Sequence, residues 1–214
     1  MNNFSLIETI VVGAFQCNCT IIADNDTKEA IIIDPGDEAN KILEIVKYYN
    51  LNVKYLMHTH AHLDHIMATR EIKEKTNAKI VLHKDDNEIY NNLKFQAQMF
   101  GFNAEVPLPV DIFVKENDEI KIGNKIISKI IHTPGHSPGS ICFYFDKENN
   151  PVIFSGDTLF SRSIGRTDLW GGSYSTIINS IKNKIFNLRE DTIVYPGHGP
   201  KTTIWSEKKY NPFF

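Results

Sequence analysis

Four histidines and one aspartate lie within the segment Met57–His65, and their spacing suits metal binding. The segment contains the pattern H-x-H-x-D-H, formed by His60, His62, Asp64 and His65. Residues i and i+2 of an extended segment point the same way, so His60 and His62 can hold one metal ion together. Asp64 and His65 are predicted to begin a helix and to project to a neighbouring position, where they can hold a second ion.

Three further loops offer metal ligands, and each of them follows a predicted strand. The motif T-P-G-H-S-P-G carries His136, and its Pro and Gly residues fix a tight loop. The motif S-G-D-T carries the carboxylate of Asp157, and the motif Y-P-G-H-G-P carries His198. Each motif alone is a weak signal, but their occurrence in order, each at the end of a strand, predicts a two-metal site.

Short β-branched runs between turn residues predict two β-rich blocks, each accompanied by amphipathic helices. The predicted strands are Ile7–Val12, Cys19–Ala23, Ala30–Ile33, Val53–Met57, Lys79–His83, Glu119–Ile122, Ile126–Ile131, Ile141–Tyr144, Val152–Phe154 and Ile193–Tyr195. The predicted helices are Asn40–Tyr49, Ala68–Thr76, Asp86–Phe100 and Ser175–Leu188. This order favours an α+β or α/β fold in which helices cover a pair of sheets.

The composition limits the classes of function. The chain has 214 residues, 42% of them hydrophobic and 23% charged, and a formal net charge of -3, which gives no electrostatic basis for nucleic-acid binding. Apolar runs are shorter than the roughly 18 residues that a membrane span needs, and the opening residues lack the basic region of a signal peptide. Cys17, Cys19 and Cys142 are interpreted as small hydrophobic residues, which fits a reducing cytoplasm.

The motifs H-x-H-x-D-H, T-P-G-H-S-P-G, S-G-D-T-L-F and Y-P-G-H-G-P together resemble the metallo-β-lactamase superfamily. The resemblance runs over essentially the whole chain and implies a single domain, residues 1–214, with a four-layer αββα sandwich. Within the superfamily, the sequence is most similar to the hydroxyacylglutathione hydrolase (glyoxalase II) branch. The stretch Gln96–Gly101 and the turn Gly165–Asp168 favour the short bacterial members of that branch.

The resemblance also assigns the ligands position by position. His60, His62 and His136 correspond to the ligands of a first metal, and Asp64, His65 and His198 to those of a second. Asp157 corresponds to a carboxylate that bridges both metals, with a hydroxide as the other bridge. Asp64 is also expected to orient this hydroxide as a catalytic residue. The ions are expected to be two divalent metals, zinc first, with iron or manganese as alternatives. His58 and His132 fall outside the ligand pattern.

The same resemblance implies hydrolysis of an acyl thioester such as S-lactoylglutathione, giving D-lactate and a free thiol. The expected partner is this small molecule, without nucleic acid or membrane, and the expected state is a monomer or small homo-oligomer in the cytoplasm. The extra helical region of full-length glyoxalase II proteins is expected to be missing, since Ser206–Phe214 at the end of the sequence are too few to form it. Arg166 matches the position of a substrate-binding cation; the alternative is a loop-ordering ion pair with Asp168 or Glu207.

Several rival functions share this fold. A persulfide dioxygenase would use a single iron, held by His60 or His62 with His136 and Asp157. Lactone or ester hydrolysis and β-lactam hydrolysis are further possibilities, because fold alone does not decide among them. A non-enzymatic metal-storage protein is the remaining alternative, and a screen with thioester and ester substrates would separate it from the enzymes.

Overall fold

The computed structural model describes residues 6–124, 126–146 and 151–214. Its first six strands form one sheet in which spatial order follows chain order. They are β1 (Leu6–Val12), β2 (Cys17–Ala23), β3 (Glu29–Ile33), β4 (Asn52–Met57), β5 (Lys79–His83) and β6 (Ile112–Val114). Strands β1 to β3 pair antiparallel, whereas β3 to β6 pair parallel.

The remaining strands form a second sheet and a small hairpin. These strands are β7 (Glu119–Ile122), β8 (Ile126–His132), β9 (Ile141–Phe145), β10 (Val152–Gly156), β11 (Leu159–Phe160), β12 (Ser163–Ile164), β13 (Ile193–Pro196) and β14 (Thr202–Thr203). The sheet order is β14-β13-β10-β9-β8-β7, and β11 pairs with β12 alone. Because β8 and β10 each run antiparallel to β9, and β13 runs parallel to β10, strands β8, β10 and β13 end at the same edge.

Helices cover the outer face of each sheet. Helices α1 (Ala39–Tyr48), α2 (Leu63–Ile66), α3 (Thr69–Thr76), α4 (Asn87–Asn91) and α5 (Leu93–Met99) contribute residues to the core on the first sheet. Helices α6 (Tyr174–Asn183) and α7 (Ile204–Tyr210) contribute to the core on the second sheet. The predicted four-layer αββα arrangement is therefore observed. In the described residues, no helix is both long and apolar enough to span a membrane.

Apolar runs in the central strands reflect burial on both faces of each sheet. In β3, Ile31 and Ile33 face the core between the sheets, while Ile32 faces the helices. In β10, Phe154 faces the core between the sheets, while Ile153 faces the outer core with α6. Successive strand residues point to opposite faces, so a strand that is buried on both sides carries consecutive apolar residues rather than an alternating pattern.

One predicted helix, Asp86–Phe100, is wrong as a continuous element. The structure divides it into a 3-10 turn, Lys84–Asp86, followed by α4 and α5. The break falls at Asn92, whose side-chain amide donates to the carbonyl oxygen of Glu88 (2.9 Å) and so bonds locally to the backbone.

The predicted helix Ser175–Leu188 also ends early. Helix α6 stops at Asn183, because Lys184 leaves helical geometry (φ -121°, ψ -57°). Its ammonium group donates to the carbonyl oxygen of His132 (2.6 Å). A 3-10 turn, Ile185–Asn187, follows.

A buried carboxylate, that of Glu207 in α7, ties the last helix to the hairpin that follows β10. Glu207 is 0% exposed, and it accepts hydrogen bonds from Thr202 Oγ1 (2.6 Å), the Arg162 amide (2.8 Å) and Asn211 Nδ2 (2.8 Å). These donors lie on three separate segments, so one side chain fixes the turn between β11 and β12 against the C-terminal helix. Arg162 has a positive φ of 62°, and the hydrogen bond from its backbone amide to Glu207 helps to hold this conformation.

Replacing Glu207 with alanine should lower stability markedly. The substitution leaves three donors without a partner, which costs about 3 kcal/mol and lowers Tm by roughly 6–12 °C. Thermal unfolding followed by circular dichroism measures the shift. Glu190→Ala is the matched control, because that exposed carboxylate makes a single ion pair with Lys208 (3.3 Å) and its loss should cost little. Equal Tm values for the two variants would contradict this role.

Candidate metal centre

The seven predicted ligands come together at one edge of the sandwich. Six segments that follow strands carry the site and its surroundings, because β3, β4, β5, β8, β10 and β13 all end at this edge. The side chains form two adjoining clusters with a carboxylate between them, composed of His60, His62, His136, Asp64, His65, His198 and Asp157. Asp64 and His65 lie in α2, as predicted, and the others in loops or at strand ends.

The first cluster consists of three imidazoles. His136 Nε2 lies 2.9 Å from His62 Nδ1 and 3.2 Å from His60 Nε2. All three side chains are at least 95% buried, and their rings stand nearly perpendicular to one another. Three nitrogens that point into one small space form the donor arrangement of a single metal ion.

The second cluster mixes nitrogen and oxygen donors. His198 Nε2 lies 3.1 Å from Asp64 Oδ2 and 3.3 Å from His65 Nε2. His65 Nε2 lies 3.6 Å from the same oxygen of Asp64. His65 is fully buried, whereas His198 and Asp64 are partly exposed and face the cleft.

Asp157 lies between the clusters and turns one oxygen toward each. Its Oδ2 is 3.5 Å from His136 Nε2, which belongs to the first cluster. Its Oδ1 is 3.4 Å from His65 Nε2 and 3.7 Å from His198 Nε2, both in the second cluster. A carboxylate with its two oxygens divided in this way can contact two cations at once.

Hydrogen bonds on the outer side of the clusters set the tautomers of four histidines. The acceptors are the Arg166 carbonyl oxygen for His136 Nδ1 (2.7 Å), Thr59 Oγ1 for His60 Nδ1 (3.1 Å), Asp34 Oδ2 for His65 Nδ1 (3.0 Å) and the Gln16 carbonyl oxygen for His198 Nδ1 (3.2 Å). A neutral imidazole that donates from one nitrogen presents a lone pair on the other. The inward nitrogens therefore present converging lone pairs, which a shared cation would stabilise.

The charge balance of the clusters also fits cations. Burial, and then the neighbouring histidines, lower the pKa of His60 well below its usual value and that of His62 to about 3, so both rings are neutral at pH 7. Burial alone would lower the pKa of His65 too, but the carboxylates of Asp64, Asp157 and Asp34 raise it well above its usual value. The first cluster thus offers neutral nitrogen donors, and the second attracts positive charge. Two divalent ions satisfy both requirements.

Two glycines leave room for the ligands. A Cβ on Gly197 would overlap Asp157 Oδ1 and lie 2.8 Å from His65 Cε1. A Cβ on Gly165 would overlap the Asp157 carbonyl oxygen. The Gly of the Y-P-G-H motif is therefore required by close approach of the backbone to the ligands rather than by the turn alone.

Asp34 supports the site, although its sequence motif does not indicate this role. Its Oδ1 accepts from the Thr59 amide (2.7 Å), and its Oδ2 accepts from Thr59 Oγ1 (2.7 Å) and His65 Nδ1 (3.0 Å). The residue lies in the left-handed region, with φ 50°, which aspartate tolerates better than most residues. Its signal in the sequence is an Asp-Pro-Gly turn at a strand end, which indicates a turn but not a partner.

Asp86 links the two loops that carry the first cluster, and no motif in the sequence points to it. This buried carboxylate accepts from the Ala61 amide (2.9 Å), the Gly139 amide (2.6 Å) and Ser137 Oγ (2.8 Å). Gln96 holds the segment of His60 and His62 on its own, because it accepts from the Leu63 amide (3.0 Å) and donates to the Ala61 carbonyl oxygen (3.0 Å). Their partners lie 25 to 53 residues away, so no local pattern reveals them.

Arg166 lines the cleft in front of the clusters, as expected, but its side chain is already paired. Its Nε and Nη2 donate to the two carboxylate oxygens of Asp168 (2.6 and 2.7 Å), and the pair is largely exposed. Arg166 therefore forms the ion pair with Asp168 that was the alternative to substrate binding, and Glu207 is not a partner of Arg166. Two of the five guanidinium N–H groups are used in this pair, so the others remain for a ligand.

The histidines and cysteines outside the clusters have other surroundings. His58 is fully buried, and burial lowers its pKa to about 4. His132 donates to the Pro138 carbonyl oxygen (2.9 Å) and stacks on another ring, that of His83. The three cysteines are buried and free, and burial raises the pKa of Cys17 and Cys142 to about 12. These thiols remain protonated at neutral pH and are not nucleophiles.

Comparison with known proteins gives the same fold. The sequence profile of the metallo-beta-lactamase superfamily matches residues 12–198. The hydroxyacylglutathione hydrolase GloC of Haemophilus influenzae is 42% identical over 209 residues, with 97% of each chain covered. The BLEG-1 B3 metallo-beta-lactamase has a TM-score of 0.89 at 38% identity, over 97% of this chain and 99% of that one. TTHA1623 in a di-iron-bound form has a TM-score of 0.86 at 33% identity, over 97% and 100% of the two chains.

The αββα sandwich with adjoining His/Asp clusters at one sheet edge defines a class of metal-dependent hydrolases, and this protein is of that class. The chain belongs to the metallo-β-lactamase superfamily.

Replacing Asp86 should weaken metal binding without removing a ligand. Asp86→Ala frees the Ala61 amide and the loop of His136 from their common acceptor, so the three imidazoles of the first cluster lose their mutual alignment. Outer-shell losses of this kind reduce metal affinity roughly 10–100-fold. Competition with a chromophoric chelator measures the affinity, and Asp191→Ala, which removes an exposed carboxylate, is the control. Unchanged affinity in Asp86→Ala would show that the loops hold their positions independently.

Proposed function

We propose that this protein hydrolyses acyl thioesters, with S-lactoylglutathione or a related hydroxyacyl thioester as substrate, and that it uses two divalent metal ions. The proposed ligands of the first ion are His60, His62 and His136, those of the second are Asp64, His65 and His198, and Asp157 is shared. The relative named hydroxyacylglutathione hydrolase, which matches nearly the whole chain, supports the substrate class.

The proposal rests on the side chains that line the cleft. Among the described residues that line it, none has a hydroxyl, thiol or amine group. Its polar side chains are the clustered histidines and aspartates, with Gln96 and Arg166. A hydroxyl, thiol or amine nucleophile is therefore missing from this lining, and so is a general acid separate from the proposed ligands. A thioester suits such a cleft, because a thiolate departs without prior protonation more readily than an alkoxide or an amine anion.

When bound, two divalent ions would lower the pKa of a water molecule and polarise the substrate carbonyl. The chain's own residues hold and orient the reactants. We propose that Asp64, which faces the cleft with its Oδ2 near His198, orients the attacking water as a hydrogen-bond acceptor. Phe15, Phe100 and Trp170 wall the cleft and limit the access of bulk water to the acyl carbon.

Zinc is the metal that we propose first. Five imidazoles and two carboxylates form a nitrogen-rich donor set, which suits Zn²⁺ and also Fe²⁺. The di-iron form of the relative TTHA1623 makes iron the principal alternative, and manganese is a further one. We also propose that the protein works in the reducing cytoplasm, because its three cysteines are free.

Metal analysis combined with a substrate panel tests the function. The purified protein should contain close to two metal ions per chain and should hydrolyse S-lactoylglutathione faster than a carboxylic ester, a lactone or a β-lactam. Oxygen uptake with glutathione persulfide should be absent. Fast β-lactam turnover or persulfide-dependent oxygen uptake, without thioester hydrolysis, would replace the proposal with the corresponding alternative.

Replacing Asp157 should remove metal and activity together. In Asp157→Ala the carboxylate that offsets the repulsion between two dications is lost, so occupancy of at least one site should fall. Activity should fall by more than the roughly 10–100-fold that accompanies loss of an outer-shell partner, while the circular dichroism spectrum remains folded. Asp191→Ala is the control for loss of a carboxylate, and metal content together with rate are the readouts. Full occupancy and an unchanged rate in Asp157→Ala would contradict the shared role.

Replacing Arg166 should impair the binding of an anionic substrate. Arg166→Ala removes the only permanent cation in the described lining of the cleft, so KM for S-lactoylglutathione should rise about tenfold, while kcat changes little. Asp168→Asn should have the opposite effect on KM, because it releases the guanidinium from its carboxylate.

The chain offers a matched control for this experiment. Arg189 makes the same bidentate pair with the residue two positions ahead, Asp191 (Nε to Oδ1, 3.0 Å), on the exposed surface. Arg189→Ala should therefore leave KM unchanged. If Arg166→Ala also impairs a small neutral thioester to the same extent, the arginine orders the loop rather than binding the substrate.

A further inference from the structure

A second cavity lies beside the cleft and shares two lining residues with it. Its volume is about 580 Å³, and Trp170 and Gln96 line both spaces. The cavity is also lined by Asp85, Glu88 and Phe95. Ligand sites for molecules of about twenty to thirty atoms have this size, whereas a hydroxyacyl group such as lactoyl is much smaller. The cavity therefore has room for the thiol part of a thioester.

The wall between the two spaces is fixed to the metal-binding loops. Gln96 is buried, and its amide donates to the carbonyl oxygens of Ala61 and Ile89 (3.0 and 2.8 Å). On the opposite side, a Cβ on Gly171 would overlap the ring of Pro138, so the turn after Trp170 packs directly on the loop of the first cluster. The cavity is thus held in a constant position relative to the clusters.

The charges around this cavity have one sign. Asp85 and Glu88 supply two carboxylates, and no Lys, Arg or His side chain of the described residues lines the space. The nearest imidazole to Asp85 is that of His83, whose Nδ1 lies 3.8 Å from Asp85 Oδ2. Burial, and then the neighbouring His132, lower the pKa of His83, so this ring is neutral at pH 7 and does not compensate the carboxylate.

Two aromatic side chains border the same space. Phe95 and Trp170 have ring centroids 6.3 Å apart, and both rings are substantially exposed although large apolar side chains are usually buried. Aromatic faces together with carboxylates are the surroundings that bind ammonium groups, through cation–π attraction and charge pairing. A carboxylate or phosphate in this cavity would be repelled by Asp85 and Glu88, and it would find no basic side chain among the described lining residues.

We propose that this cavity binds an ammonium group carried by the thiol part of the substrate. The inference rests on the proposed thioester hydrolysis and specifies its substrate class: a thioester whose thiol bears a primary or quaternary amine. The ammonium lies between the aromatic rings and the carboxylates of Asp85 and Glu88, while the acyl group lies at the metal clusters.

A pair of matched substrates tests the preference. The first series consists of S-lactoyl esters of ω-(trimethylammonio)alkanethiols with two to six methylene groups. The quaternary nitrogen keeps its charge and cannot attack the thioester. The second series replaces that nitrogen with carbon and is neutral but has the same shape. The cationic series should show a kcat/KM about tenfold higher at the best spacer length.

Variants connect the preference to the cavity. In the double variant Asp85→Asn, Glu88→Gln, the ratio of cationic to neutral kcat/KM should fall to about one to three. Glu44→Gln, which removes the same charge from the exposed face of α1, should preserve the full ratio. A ratio near one in the wild type, or a full ratio in the double variant, overturns the inference.

A binding measurement keeps the inference separate from the proposed function. Calorimetric titration of the metal-loaded protein with butyltrimethylammonium should show saturable binding that the double variant loses. If no thioester is hydrolysed but this binding is present, the proposed function fails and the ammonium site stands. If thioesters are hydrolysed but neither binding nor charge preference is found, the ammonium site fails and the proposed function stands.

Discussion

Five imidazoles and two carboxylates converge in a space that is mostly closed to water. Their lone pairs repel one another, and the surrounding structure holds the side chains together against this repulsion. Outer hydrogen bonds occupy the Nδ1 atoms of four of the five histidines, so the Nε2 atoms of these four rings are left facing the clusters. Asp157 contributes an oxygen to each side of this arrangement. Such a cluster is costly in a folded protein unless a cation occupies it, and this cost is what gives the site its affinity for metal.

The supporting residues explain why the clusters keep their geometry. Asp34 connects the segment after β4 to His65, and Asp86 connects the same segment to the loop of His136. Glycines at the closest approaches permit the backbone to pass within contact distance of the ligands. Each support joins two strand ends, so the clusters depend on the pairing of the sheets rather than on any one loop.

The sequence predicts the ligands better than it predicts their supports. Ligand motifs are local, since each combines a His or Asp with the turn residues that follow a strand, and all seven lie where the motifs place them. Asp34 and Asp86 act through partners distant in the chain, and a single sequence contains no sign of such pairs. Asn92 shows that helix ends are equally hard to predict. The helical spacing of apolar residues continues past Asn92, but the hydrogen bond from its side-chain amide to the backbone lies where α4 ends. For Arg166 the sequence leaves two ion-pair partners open, Asp168 and Glu207, and only the structure shows that the pair is made with Asp168.

The parallel alignment of strand ends has a consequence for the biogenesis of the protein. The ligands of each cluster come from both sheets, and His198 follows β13, which pairs with β10 after most of the chain has been synthesised. A nascent chain that lacks this strand has one incomplete cluster. The ligands of the first cluster have all been synthesised once His136 is added, whereas the second cluster is complete only when His198, beyond β13, has joined it.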